Sequence, residues 1–141
     1  MFVTVWLAIV DLITGEGVES NAGHEYPAIR HKGGEFELIR TRHSLALATM
    51  EGLRFKQNDF RLLPGDRLFV YTDGVPEATN GQNVLFGDER MIESLNAHRN
   101  QPINELLANV KKDVDSFVGE APQFDDMTML CFDYFGPVEN A

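Results

Sequence analysis

Cysteine is almost missing from this chain: Cys131 stands alone among 141 residues. No internal disulfide can form, and a reducing cytoplasm is the expected compartment. Cations are also scarce, with 12 Lys and Arg against 22 Asp and Glu and a formal net charge of −10. That balance argues against a nucleic-acid partner and against an anionic membrane surface, since both are held by clustered positive charge. An acidic protein can still handle a phosphate ester if bound cations invert the local field. No apolar run is long enough to span a membrane. The run from Phe2 to Val10 has no basic residue before it and makes a poor signal peptide.

What is present is ordinary for a globular protein: 43% hydrophobic and 24% charged residues, with ten Phe to build a core. The length suits one domain over 1–141. Phe2 to Val10 reads as a strand buried on both faces. Either the chain starts inside a larger domain, or the domain opens with a core strand. Val18–Ala22 reads as a return strand. Ala28–His31 and Phe36–Ile39 flank Lys32-Gly33-Gly34, a hairpin signal. The stretch from Thr41 to Leu53 has no clear pattern. Pro64-Gly65 fits the centre of a type II turn, and Leu68–Thr72 reads as a buried strand.

Asp88 can cap a helix carrying Met91, Ile92 and Leu95. Pro102 opens a second helix, whose Ile103, Leu106, Leu107, Val110, Val114 and Phe117 share one face before Gly119. A last strand covers Met127 to Phe135. This order predicts an α+β domain with helices packed on antiparallel sheet.

Two acidic motifs stand at strand ends. Asp73 follows an apolar strand, and Gly74 lets the chain turn. Asp125-Asp126 precedes the last strand. Antiparallel neighbours would bring both ends to one sheet edge. Carboxylates held together repel unless a cation lies between them, and hard oxygens suit Mg²⁺ or Mn²⁺. Taken singly, Asp-Gly is a common turn pair and Asp-Asp a common polar loop.

The surrounding residues add to this. Tyr71-Thr72-Asp73-Gly74-Val75-Pro76-Glu77-Ala78 resembles the "YTDG(V/I)xEA" segment of bacterial PPM-family, or protein phosphatase 2C-like, serine/threonine phosphatases of sporulation and stress-response regulation. Asn21-Ala22-Gly23-His24, Leu63-Pro64-Gly65-Asp66, Phe86-Gly87 and Phe124-Asp125-Asp126-Met127-Thr128 are similar to further family landmarks in the same order. The resemblance runs from about Phe2 to Phe135.

It implies an antiparallel β-sandwich flanked by helices, incomplete at the N-terminus. In the family, two Mn²⁺ or Mg²⁺ ions hold a water that attacks phosphoserine or phosphothreonine directly. Asp73 and Asp125 match metal ligands. Asp126 and Gly74 stand behind them, as supporting groups or additional coordination. His24 and Glu77 are secondary candidates. No catalytic residue beyond the metal ligands is implied. The family's upstream "GD(Y/F)YD" and "GDVxGHG" segments have no counterpart here. The chain therefore resembles the C-terminal part of a phosphatase domain, expected to be inactive alone. An interaction module derived from the same fold is the alternative.

The implied partner is a phosphorylated regulatory protein such as an anti-sigma-factor antagonist. Missing partner strands would leave apolar surface exposed, and a homodimer is one way to cover it. His31, His43 and His98 lack ligand spacing and read as surface residues, and Arg30, Arg40, Arg42 and Arg54 read as scattered surface charge. A phospho-acceptor receiver domain also keeps an acidic pocket at strand ends. It needs alternating strands and helices, which this pattern lacks.

Overall fold

The computed structural model describes residues 1–138. Seven strands and two helices are arranged in three layers. A three-stranded antiparallel sheet has the order β1–β2–β5, with β1 at Val5–Val10, β2 at Glu16–Ala22 and β5 at Asn58–Arg61. A four-stranded antiparallel sheet has the order β4–β3–β6–β7, with β3 at Ala28–Arg30, β4 at Phe36–Leu38, β6 at Arg67–Tyr71 and β7 at Met129–Asp133. Helices α1 (Gly87–Ala97) and α2 (Ile103–Val118) cover the outer face of the second sheet. The expected sandwich flanked by helices is the observed fold.

Alternation along β6 explains the layering. Leu68 and Val70 point toward the first sheet and join Trp6, Ile29, Phe60 and Leu62. Phe69 and Tyr71 point the other way, stacked at 5.4 Å, onto Met91, Leu95, Leu106 and Val110. Both faces of β6 are buried, which is why its sequence is a continuous apolar run. On α2, Leu106, Val110 and Val114 are wholly buried, each contributing about 2 kcal/mol of transfer free energy. Gly119 closes the helix at φ 64°.

Several expectations need correction. The first strand is buried on one face only. β1 is a sheet edge, and Leu7 and Ile9 are 57% and 67% exposed, with Phe2, Val3, Leu12 and Ile13 also open. β5 lies in a polar stretch, Asn58-Asp59-Phe60-Arg61, that gives no strand signal; it exists because its backbone pairs with β2. Asp88 does not cap α1. Phe86 holds that position with no side-chain bond, and Asp88 lies in the first turn, where the helix dipole favours a carboxylate. His31 is exposed as expected, but it is tied down, with Nδ1 3.0 Å from both oxygens of buried Asp66. His98 is bonded to Asp113 at 3.1 Å. Arg30 is structural, donating to the Gly34 and Arg99 carbonyls and to Asn100.

Candidate metal centre

The β6–β7 register sets Tyr71 opposite Met129. Past that pair the two chains stay stitched together. Thr72 donates its N–H to the Thr128 carbonyl at 3.0 Å, and Thr128 donates back to Thr72 Oγ1 at 3.0 Å. Thr72 Oγ1 also donates to the Asp126 carbonyl at 3.3 Å. Asp73 and Asp125-Asp126 therefore lie at the same end of the sheet, and all three are exposed.

Gly74 has a different role from the one its sequence suggested. Its φ is not left-handed; instead the Asp126 carbonyl crosses directly over it. A Cβ there would stand 2.2 Å from that oxygen. Glycine is needed for close approach, and that approach fixes the distance between the two acidic segments.

Asp73 shares a concavity of about 70 Å³ with Thr4, Gly23, His24, Glu25 and Thr72. Here the Asn21–His24 turn is held by Asn21 Oδ1, which accepts the His24 N–H at 2.8 Å. His24 Nδ1 lies 3.1 Å from Thr4 Oγ1. Asp125, Glu77 and Gly74 line a separate cleft of about 230 Å³. Asp125 Oδ1 accepts the Asp126 N–H at 2.7 Å, and Gln123 donates to the Asp125 carbonyl. Glu77 donates its N–H to the Asp73 carbonyl at 2.9 Å, closing the turn after β6.

Glu25 went unnoticed in the sequence. Burial pushes its carboxyl above the usual range, and Asp88, Asp73 and Glu77 push it further. Its signal was only adjacency to His24. The same concentration of negative charge, after burial, raises the Tyr71 phenol. The carboxylates here are hard-oxygen donors in a negative field, which suits Mn²⁺ or Mg²⁺, with the His24 imidazole beside Asp73. It is not a complete site: among the described residues no group of three or more His, Cys, Asp or Glu is arranged to hold a metal ion.

A family model, Stage II sporulation protein E, matches residues 1–135. Protein IcfG of Synechocystis is 30% identical over 130 residues, covering 92% of this chain and 20% of that protein. The SiaA-PP2C domain of Pseudomonas aeruginosa superposes with a TM-score of 0.78 at 24% identity, over 93% of this chain and 51% of that one. The RsbU and RsbW domains of a Mycobacterium tuberculosis protein give 0.80 at 22%, over 96% and 37%. The Bacillus subtilis SpoIIE phosphatase domain, Mn presoaked, gives 0.75 at 17%, over 98% and 59%. The chain spans a fifth of its curated relative and between 37% and 59% of these solved chains. It has the fold of part of a PP2C-type phosphatase domain, and it belongs to the Stage II sporulation protein E family.

Proposed function

We propose that this chain supplies Asp73 and Asp125 to a divalent-metal centre that hydrolyses phosphoserine or phosphothreonine. The substrate is a phosphorylated regulatory protein, an anti-sigma-factor antagonist being the class the family resemblance suggests. One observation carries the reading: the Thr72–Thr128 bonds and the Gly74–Asp126 approach hold two carboxylate segments at one sheet end. Mn²⁺ or Mg²⁺, when bound, supplies a water activated for direct attack on phosphorus. Asp73 and Asp125 would hold the cation. The Asp126 N–H keeps the Asp125 carboxylate oriented, and Asp126 adds negative charge behind it. His24, which lines the same concavity as Asp73, would exchange a proton there.

The carboxylates fit the cation class without completing its coordination. The chain by itself is therefore expected to bind Mn²⁺ loosely and turn over little. The same incompleteness favours a second reading, a non-catalytic interaction module built on this fold. Mn²⁺ affinity by electron paramagnetic resonance and turnover of a phosphoserine peptide separate them. Asp73→Asn should weaken Mn²⁺ binding by about ten-fold or more. Unchanged Mn²⁺ affinity in that variant would sink the metal-centre reading. The lone Cys131 fits a reducing cytoplasm. Packing of two copies over the open face of β1 would cover Leu7 and Ile9; sedimentation at monomer mass at all concentrations counts against it.

A further inference from the structure

Four of the twelve Lys and Arg of this chain gather in one segment. Arg40, Arg42, Arg54 and Lys56 all fall in the segment between β4 and β5, where Glu51 is the only acidic residue from 40 to 56. In a protein of net charge −10 this stretch has a positive balance. All four side chains are exposed, and none forms an ion pair among the described residues.

The fold brings the two limbs of the segment together. Lys56 donates its N–H to Ser44 Oγ at 3.0 Å, and Asn58 donates to the Arg42 carbonyl at 3.3 Å. Ser20 Oγ ties the Lys56 carbonyl to β2. Between the limbs, Leu45, Met50 and Phe55 stay exposed. Cations interleaved with open apolar side chains make a surface suited to a protein rather than to water. Long irregular segments inside compact domains are either functional or linkers, and this one is tied down at both limbs. Ala48 holds a left-handed φ of 63°, unusual for a residue with a side chain.

Position completes the argument. Ser44 donates to the Asn21 carbonyl at 2.8 Å, and Ala46 crowds Gly23 so closely that a Cβ there would lie 2.9 Å from its nitrogen. The segment thus leans on the turn that carries His24. Arg40 lies over the Tyr26 ring at 5.8 Å, and its charge opposes the upward push on Tyr71. A positive surface therefore adjoins the negative rim around Asp73.

We propose that the 40–56 segment is the docking surface for the acidic face of a phosphorylated protein, seating it so that its phosphoryl group meets the Asp73 edge. The phosphorylated partner rests on the function proposed above; the acidic docking does not. The probes are fluorescein-labelled peptides of Glu-flanked serine, phosphorylated and unphosphorylated, and a single-stranded oligonucleotide of equal charge. Anisotropy is read against the wild-type chain, Arg42→Glu/Arg54→Glu and Asp73→Asn, with Mn²⁺, at low and moderate salt.

The charge-reversed variant should bind both peptides about ten-fold more weakly and lose most of the salt dependence. Asp73→Asn should weaken only the phosphorylated peptide. If Asp73→Asn changes nothing while charge reversal still weakens both peptides, the phosphatase reading fails and the docking surface stands. Wild-type affinity and salt slope in the charge-reversed chain overturn the proposal, as does tighter binding of the oligonucleotide than of either peptide. Arg42→Gln/Arg54→Gln, a milder change checked by circular dichroism, guards against a folding defect.

Discussion

Replacing Gly74 with alanine tests how the two acidic segments are held. The new Cβ would begin 2.2 Å from the Asp126 carbonyl oxygen, 2.8 Å from its carbon and 3.3 Å from the Met127 nitrogen. Carbon–oxygen contacts normally start near ~3.3 Å, so one backbone must retreat by about 1 Å. Neither can do so freely. The 126–128 backbone is bonded to Thr72, and Val75 and Ala78 behind Gly74 are buried in the helix-side core. Overpacking of this kind costs about 2 kcal/mol, which lowers the melting temperature of a domain this size by roughly 6–8 °C. The Asp73–Asp125 spacing changes with it, and Mn²⁺ affinity should fall about ten-fold. Thermal melts by circular dichroism and Mn²⁺ titration give both readouts. Gly81→Ala is the control, because its Cβ would meet nothing within 4 Å. A Gly74→Ala chain that melts within about 1 °C of wild type and keeps its Mn²⁺ affinity would refute the reasoning.

Glu25→Gln should raise stability at pH 7. Its carboxyl is pushed up in the fold by burial and by Asp88, Asp73 and Glu77, so the folded state holds the proton more tightly than the unfolded one. Stability is then lost as pH rises from the ordinary carboxylate pKa through the raised one, and the gain from Gln should vanish below that window; equal gains at pH 3.5 and 7 would contradict this. Arg67→Ala should cost about 3 kcal/mol in urea melts, because it strands the half-buried Asp133 carboxylate and the Gln101 carbonyl that the guanidinium now serves. A loss under about 1 kcal/mol would mean that water replaces the guanidinium. Cys131, whose thiol burial pushes up to about 11, should react slowly with a disulfide reagent at pH 8 and at once in guanidinium, since only about one thiol in a thousand is ionised. A full burst in the native state would show that β7 opens readily.

The sequence read best where one physical rule dominated. The apolar spacing on α2 and the doubly buried run of β6 stand as expected, because burial and periodicity coincide there. β5 was illegible because only its backbone joins the sheet, with Phe60 its single core residue. The exposed face of β1 was misread because an apolar strand looks the same whether its outer side is covered or open. At the acidic edge, the Asp73 and Asp125-Asp126 strand ends were legible from motif and topology. The close approach over Gly74, the Glu25 carboxyl beside Asp73, and the His31–Asp66 pair were not. Each depends on a contact between segments far apart in the chain, which no local pattern encodes.

Tyr134 spans the two sheets at the far end of β7: its hydroxyl donates to the Leu12 carbonyl at 3.0 Å, across 122 positions of chain. Its backbone is fastened to the turn before β6, through Asp66 and Gly65. That arrangement has a kinetic meaning. β7 follows every other described element, yet it carries Asp125-Asp126 into register beside Asp73. Closing so large a loop is slow, and the chain gains from it only once both sheets exist. During synthesis the acidic edge therefore stays disassembled until β7 has emerged, and a nascent chain with β1 to α2 already formed would hold Asp73 without its partner.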